Sequence, residues 1–590
     1  MRTLCLILAS LCLLIAPSAA AYPVQYAMQG DVPDDVRESI DDRLPDEPNA
    51  ESALEARRQG RRAVKIVEGV LNAYGYFDPT ITRSVRGEGL EARPFLDIDP
   101  GPQFVVRELR IRYQGDYEPR PDIQEGTRAT LGLQPGEPAV AAEVIDQERQ
   151  IGAALREAGY AYAEVTSRDV IGDREGKTIS VRYNVNSGPR IVLGEFLYPD
   201  GLRTKDRYLQ KLNPMDTGQV FDPSEMALYN SRLAETRMFD RSLAKLADEP
   251  AGTTEDGAQI RNVEMLLNER DRYTLTLGAG FDTSEGFGVD AELLRRNLTG
   301  MGDLLVGQAR VAEREFGLDL VWRRPNELGY GRGVTYFASA FDERTDAFDQ
   351  QTAKIGAGVE VIRGPQFQYG FGADARYIRQ TGASVRRDFQ TVSLNGSASF
   401  DRSDSILDPR KGWRATARIK PTYALTPDGP DVFYSRAVAE GRLYIPLNPE
   451  GRFVAAGRLR AGTLIGANVV NVPGEDRFFA GGGGSVRGYG FQAIGPFDAD
   501  DIPLGGKNLA EVSVEGRMRV TDTIGAVAFI DAGTVSDEAY PTFGNLRVGA
   551  GIGARYMTPA GPIRLDIATP LNPSDRDEVV QVYISIGQAF

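Results

Sequence analysis

The chain has 590 residues, 2 cysteines, no histidine and a formal charge of −15. This length predicts several domains, because a single domain usually contains about 100–200 residues. Without histidine there is no Ser-His-Asp triad, no Cys-His dyad and no histidine metal ligand. The acidic balance argues against nucleic acid as a partner, since phosphate binding needs a basic surface. The mean hydropathy of −0.31 taken alone indicates a soluble protein.

The first residues predict a secretory signal peptide. A short basic start precedes an apolar run over residues 4–16, and small residues at 19–21 form the expected cleavage site. The run is shorter than the ~20 residues that span a bilayer, which makes a membrane anchor the weaker alternative. Cys5 and Cys12 both lie in this peptide. We therefore expect a mature chain without cysteine, which is typical of a bacterial envelope protein.

A weak internal repeat occupies the N-terminal part of the chain. Predicted helices near 52–73, 140–158 and 224–236 each end in an aromatic residue and are followed by two segments that resemble strands. Each unit is predicted as strand, helix, helix, strand, strand, a small α+β domain. After the signal peptide at 1–21, the predicted units are 22–103, 104–188 and 189–270.

The remaining residues, 271–590, are rich in glycine and alternate between apolar and polar positions. In Tyr273–Phe281 one face carries Tyr273, Leu275 and Leu277, and the other carries threonine and glycine. Period-two alternation predicts strands, although a soluble sandwich gives the same pattern. Charged inner faces, loops of varied length and export favour a transmembrane antiparallel barrel of about 16 strands. A barrel needs no long apolar run, which explains the soluble hydropathy.

One glycine-rich stretch, residues 477–491, carries the strongest candidate site. Four consecutive glycines precede Val486, Arg487, Gly488 and Tyr489. The simplest interpretation of this stretch is a flexible external loop. The alternation of the later strands, however, places acidic side chains in the lumen, where they can receive Arg487 as an ion pair. The predicted partners are Asp531 and Glu515, with Phe529 and Gly533 beside them.

These motifs resemble the signature of the outer-membrane-protein assembly superfamily, which includes BamA, TamA and their relatives. Residues 486–489 within R-F-F-x-G-G, and residues 529–533 as F-x-D-x-G, carry the resemblance. Residues 297–302 resemble the family's N-L-x-G-x-G segment, and residues 408–412 a turn in the middle of its barrel. The α+β units are similar to its POTRA domains. Three such units before the barrel is the TamA arrangement.

The resemblance implies an outer-membrane protein with periplasmic POTRA domains that assembles autotransporters and other β-barrel proteins. It implies as partners a TamB-like protein anchored in the inner membrane, unfolded outer-membrane proteins and outer-membrane lipid. A two-partner-secretion transporter and a lipid-transport component remain alternatives. The family implies no enzymatic activity, catalytic residue, cofactor or metal, and no nucleophile motif with a base is present.

The first and last strands must pair to close such a barrel, and we expect this seam to be weak and to open laterally. An open edge exposes backbone groups that pair with an incoming strand. The residues predicted at the seam are Tyr273, Leu275, Leu277, Ile584, Ile586 and Phe590.

Overall fold

The structure is a computed structural model. It describes residues 24–30, 32–45, 50, 52–87, 92–282, 286–382, 385–427, 429–538, 540, 542–558, 561–586 and 588–590. The predicted signal peptide lies outside these ranges. No helix in the described ranges is long and apolar enough to cross a membrane.

The first α/β sheet has the strand order β1-β3-β2, with β1 and β3 parallel. Its longer helix begins at the N-cap Ser52, whose hydroxyl accepts a hydrogen bond from the backbone N–H of Glu55. Val67 and Leu71 on this helix are buried against Leu96 and Ile98 of the sheet. The elements are β1 (Gln25–Met28), α1 (Asp34–Arg43), α2 (Ala53–Ala73), β2 (Thr80–Arg86) and β3 (Arg93–Asp99).

The second sheet repeats this order as β4-β6-β5, again with a parallel pair and an antiparallel pair. Its core includes Ile151 and Leu155 of one helix and Val181 and Tyr183 of the central strand, all buried. The elements are β4 (Val105–Tyr113), α3 (Pro121–Ala129), α4 (Ala141–Glu157), β5 (Glu164–Asp173) and β6 (Thr178–Asn186).

The third sheet has the order β7-β10-β8, and a short strand β9 pairs with β10. Strand, helix, helix, strand, strand therefore recurs three times, with the short β9 added before the last strand of the third unit. The three helices predicted from the repeat are confirmed. The elements are β7 (Ile191–Leu197), α5 (Asp206–Leu212), α6 (Pro223–Glu235), β8 (Phe239–Leu246), β9 (Gly252–Thr253) and β10 (Gln259–Glu269).

The remaining strands form a closed antiparallel barrel of 16 strands, β11 to β26, in chain order. The predicted fold class is confirmed. The strands are β11 (Tyr273–Asp282), β12 (Gly286–Arg296), β13 (Leu304–Ala312), β14 (Glu315–Arg324), β15 (Arg332–Arg344), β16 (Asp349–Arg363), β17 (Phe367–Gly382), β18 (Val385–Asp401), β19 (Gly412–Leu425), β20 (Val432–Pro446), β21 (Phe453–Ile465), β22 (Asn508–Arg519), β23 (Ile524–Ser536), β24 (Arg547–Thr558), β25 (Gly561–Pro570) and β26 (Gln581–Ile586).

The barrel strands alternate between an exposed apolar outer face and a polar inner face. On β22, Val512 and Val514 are exposed while Glu511, Ser513 and Glu515 are buried. Period-two patterning fixes this arrangement, because successive side chains of a strand point to opposite faces. The barrel forms one compact unit together with residues 198–214 and 229–243, and the other unit contains the first two sheets.

Candidate functional site

The long connection between β21 and β22, residues 466–507, folds inside the barrel, and we call it the lumenal loop. Its apolar side chains form a buried cluster with inward-facing residues of the wall. Phe478, Val486 and Tyr489 from the loop are each at most 1% exposed. An isolated flexible loop would leave these side chains in water, so their burial stabilises one loop conformation.

Arg487 lies at the centre of a buried acidic cluster in the lumen. Its guanidinium Nε is 2.7 Å from Asp531 Oδ2, and Nη2 is 3.0 Å from Asp531 Oδ1, so this pair is bidentate. Nη1 is 2.7 Å from Glu515 Oε1 and 3.0 Å from Asp566 Oδ2. Arg487 is 2% exposed and the three acids at most 1%. In such a dry site the ion pairs and hydrogen bonds orient the arginine strictly.

The surroundings of Arg487 also require an aromatic ring and glycines at specific positions. The guanidinium carbon lies 3.4 Å from the centroid of the Phe529 ring, a cation–π arrangement. A Cβ at Gly549 would lie 1.9 Å from the backbone oxygen of Arg487. A Cβ at Gly533 would lie 2.7 Å from Cγ2 of Val486. These glycines let the loop backbone approach the wall closely.

The residues after Arg487 attach the lumenal loop to the last strands. Gly488 has a φ of +99°, a conformation that favours glycine, and its N–H donates to the hydroxyl of Tyr583 on β26 at 3.1 Å. The hydroxyl of Tyr489 donates to Oδ1 of Asn572 at 2.7 Å. The structure thus brings the predicted loop motif together with Asp531, Glu515, Phe529 and Gly533, and adds Asp566 and Tyr583.

A second buried cluster, which sequence reasoning missed, holds the beginning of the lumenal loop. Asp476 accepts hydrogen bonds from Arg376 Nη2 at 2.7 Å, from the Tyr434 hydroxyl at 2.6 Å and from Lys420 Nζ at 3.1 Å. Arg376 also pairs with Glu475. These partners come from β17, β19 and β20, far from Asp476 in sequence. Alternation could have placed Arg376 in the lumen, but not opposite Asp476.

The C-terminal residues are placed differently from the sequence prediction. The sequence predicts Phe590 at the seam, as part of the last strand, yet it is 5% exposed and packs with Tyr444 and Val454. Its backbone oxygen accepts a hydrogen bond from Arg517 Nη2 at 3.0 Å. The expectation was wrong because β26 ends at Ile586, so the period-two pattern does not extend to the terminus.

The seam between the first and last strands is shorter than the predicted strands would allow. Among the described residues, β11 pairs with β26 only at Phe281–Ile584 and Asp282–Tyr583. It pairs with β12 at ten positions. Tyr273, Leu275 and Leu277 face outward on β11, with exposures of 52–73%, but do not pair with β26. On the other side of β26, Ile584 and Ile586 pair with Leu565 and Ile563 of β25.

A third polar network joins the segment before α5 to the turn between β12 and β13. Glu269 accepts hydrogen bonds from Arg203 Nε at 2.8 Å and from the Thr204 hydroxyl at 2.6 Å. Asn297 donates to that hydroxyl at 2.8 Å and accepts from the Gly302 N–H at 3.0 Å. Asp303 accepts from the indole N–H of Trp322 at 2.8 Å.

Ionisation of Glu269 contributes to this network. Burial raises the pKa of Glu269, but the hydrogen bonds from Thr204 and Arg203 together have the larger effect and lower the pKa to about 2. Because the pKa is depressed in the folded state, the ionised carboxylate stabilises the network at pH values above its ordinary pKa of 4.5. This contribution is lost as the pH falls from there toward about 2.

Asn297→Ala is expected to destabilise the barrel unit by about 2–4 kcal/mol, because it removes two buried hydrogen bonds and places alanine at a φ of +57°. The measurement is the temperature at which the folded barrel loses its compact electrophoretic mobility. Asn326→Ala is the matched control, with a φ of +59° in the turn between β14 and β15, where its side chain accepts a hydrogen bond from the Gly331 N–H. Equal effects of the two substitutions would contradict the expectation.

The side chains at these sites hold the lumenal loop and neighbouring segments in position. In the described ranges no group of three or more His, Cys, Asp or Glu side chains is arranged to hold a metal ion. The acids around Arg487 are neutralised by arginines, since Arg517 contacts Glu515 at 2.8 Å and Arg555 contacts Asp566 at 2.5 Å. The arrangement fixes a loop to the last strands of a barrel.

The fold and the pinned loop define a class of protein, a β-barrel with small α/β units before it. A family profile described as the Omp85 superfamily domain matches residues 297–590. A POTRA profile, described as a surface antigen variable number repeat, matches residues 124–188. The chain belongs to the Omp85 superfamily, and its barrel lies in the outer membrane with POTRA domains in the periplasm. The predicted family and location are confirmed.

Two curated relatives are similar over most of this chain. The outer membrane protein assembly factor BamA of Nitratidesulfovibrio vulgaris is 24% identical over 448 residues, which cover 73% of this chain and 55% of that protein. BamA of Neisseria meningitidis is 23% identical over 557 residues, which cover 84% and 68%. The chain thus spans just over half the length of the first relative and about two thirds of the second.

A solved structure shows the same fold. The crystal structure of BamA from Haemophilus ducreyi lacking POTRA domains 1–3 superposes with a TM-score of 0.68 at 20% identity, covering 82% of this chain and 99% of that one.

Proposed function

We propose that this protein assembles β-barrel proteins in the outer membrane by adding incoming strands at the seam between β11 and β26. The observation that carries the proposal is the seam, where the described residues of β11 and β26 pair at two positions, beside ten pairs between β11 and β12. Most of β11 therefore presents backbone N–H and C=O groups on its edge toward β26. Such an edge binds an extended segment by β-augmentation.

The contacts of the lumenal loop indicate that the two strands of the seam have different roles. It holds β26 through the contact of Gly488 with Tyr583, and β25 through the pair of Arg487 with Asp566. Within the described ranges, no hydrogen bond or ion pair joins residues 466–507 to β11 or β12. The last strand is thus held from the lumen, and we expect the first strand to be the one that accepts a partner.

The finer proposal is the TamA type, in which autotransporters are the substrates and a TamB-like protein anchored in the inner membrane is the partner. Three α/β units before the barrel support it, with proposed boundaries at 22–103, 104–188 and 189–270 after a signal peptide at 1–21. The two BamA relatives are named for outer-membrane protein assembly, which supports assembly over two-partner secretion or lipid transport. Crosslinking from the N-terminal units in intact cells tests the partner, which should span the periplasm.

A disulfide across the seam tests the proposed function. The pair Phe281→Cys with Ile584→Cys joins register partners, whose Cα separation in an antiparallel ladder, about 4.5–5.5 Å, suits a disulfide. No native thiol interferes, because Cys5 and Cys12 lie in the predicted signal peptide. We expect the oxidised variant to lose nearly all insertion of a newly made autotransporter, and reduction to restore it.

The control places a disulfide at a junction that the proposal does not open. Ala291→Cys with Ala309→Cys joins β12 to β13, which pair at nine positions. This variant should insert the autotransporter at the normal rate, oxidised or reduced. If the seam pair crosslinks completely and insertion continues unchanged, the proposed function fails.

A further inference from the structure

A cavity of about 500 Å³ lies against the inner wall of β14 to β19, away from the cluster around Arg487. Its lining is mixed, with Val321 and Phe337 beside the polar residues. An Arg323–Thr335–Gly358–Gly372 row runs across β14, β15, β16 and β17 as successive register partners. On the far side, Ser397 of β18 is the register partner of Arg418 on β19.

Glycines create the space. Gly370 and Gly372 occupy successive inward positions of β17, and Gly358 of β16 is the register partner of Gly372, so the backbone itself forms the floor of the cavity. A Cβ at Gly372 would lie 2.5 Å from the backbone oxygen of Ala357, and a Cβ at Gly358 would lie 3.2 Å from that of Phe371. Larger side chains would therefore fill the cavity and strain the sheet.

Three basic side chains line the cavity without an acidic partner. Within the described ranges, Arg323, Lys354 and Arg418 form no ion pair, although Lys354 Nζ lies 4.9 Å from the centroid of the Phe337 ring. One acid, Glu360, lies among the lining residues. This excess of positive charge occurs in a protein whose formal charge is −15. Uncompensated like charges inside a barrel are unfavourable, and a bound anion would offset them.

Three acids adjoin the lining: Asp319 shares a register row with Lys354 through Ser339, Glu440 lies 2.6 Å from Arg442, and Asp374 is also paired. Asp374 lies 3.6 Å from Arg376 and accepts a hydrogen bond from Asn395 at 2.6 Å. It therefore does not supply the counter-charge for the cavity. Hydroxyl groups of Ser397, Ser399 and Thr416 complete the polar lining.

We propose that this cavity is a binding site for a phosphate-bearing polar group. Arg323 on β14, Lys354 on β16 and Arg418 on β19 offer separate donors for phosphate oxygens, because an arginine can donate two parallel hydrogen bonds to them. The hydroxyl groups of Ser397, Ser399 and Thr416 offer donors for the remaining phosphate oxygens or for sugar or glycerol hydroxyls. The shared chemistry is that of a soluble phosphate ester or of an anionic lipid headgroup. The inference does not depend on strand addition at the seam.

Binding to the purified full chain in a zwitterionic detergent tests the proposal. Glycerol 3-phosphate and inorganic phosphate represent the soluble source, and micelles doped with phosphatidylglycerol represent the lipid source. We expect saturable binding that weakens as salt is added. In Arg323→Gln with Arg418→Gln, affinity should fall at least about tenfold, the loss of one charge-assisted contact or more.

Arg310→Gln is the matched control, since Arg310 lies on the inner face of β13 outside the cavity and pairs with Glu315. It should bind as the unmodified protein does. If only the doped micelles bind, the ligand is a lipid headgroup, and if the soluble esters bind equally well, it is a free phosphate ester. Absence of saturable binding by every probe overturns the proposal, as does equal binding by the double variant while its electrophoretic mobility shows a folded barrel.

Discussion

Arg487→Ala is expected to release the lumenal loop and to lower the stability of the barrel by about 3–5 kcal/mol, the cost of removing one partner from a buried ion pair. Glu515, Asp531 and Asp566 would remain buried near one another without their central cation. The temperature at which the folded barrel loses its compact electrophoretic mobility measures the stability. Cleavage within residues 466–507 by an added protease measures the release of the loop.

Two further variants separate charge from geometry. Arg487→Lys keeps the charge but cannot bind Asp531 with two parallel hydrogen bonds, so its effect should be intermediate. Arg310→Ala removes a lumenal arginine whose exposed pair with Glu315 at 3.4 Å contributes at most about 1 kcal/mol. An Arg487→Ala protein with normal abundance, full assembly activity and a protected loop would contradict the role of Arg487.

Asp476→Ala is expected to have the second large effect, a loss of about 3–5 kcal/mol of barrel stability. It removes a buried carboxylate and leaves its buried hydrogen-bond donors without an acceptor. Arg376, Lys420 and Tyr434 all donate to this carboxylate. The same melting measurement applies, and protease cleavage should now begin near the start of the lumenal loop while the part around Arg487 stays protected.

The control for Asp476 lies in the same loop. Asp500 is exposed, and Asp500→Ala should change stability by less than about 0.5 kcal/mol. The two clusters share no residue, so the effects of Asp476→Ala and Arg487→Ala should add when the substitutions are combined. A combined effect no larger than either single effect would show that the loop is held as one cooperative element.

Local periodicity was sufficient to predict much of the fold. Alternation in Tyr273–Phe281 and in the later strands predicted the barrel, because each strand must show one face to an apolar and one to a polar environment. Apolar spacing and aromatic ends predicted the helices that became α2, α4 and α6. The inner face of β23 was also readable, so Asp531 could be assigned to the lumen before its partner was known.

Partners across the barrel could not be predicted in this way. Alternation says that Arg376 and Asp566 face inward, but their neighbours depend on strand register and on the path of the lumenal loop. Asp566 therefore entered the cluster around Arg487 only in the structure. Phe590 was misplaced for a related reason. Its environment is set by Tyr444 and Arg517 on other strands and not by its own position in a periodic pattern.

The sequence by itself determined that this chain forms small α/β units and a barrel, and it identified Arg487 with Asp531 and Glu515 as a candidate cluster. Those features follow from residue type and short-range spacing, which local physics decides. Only the tertiary structure decided where the loop is held, which described positions pair across the seam and which cations line a cavity. Those features depend on closure of sixteen strands, which brings together side chains that are distant in sequence and leaves no local signal in any one segment.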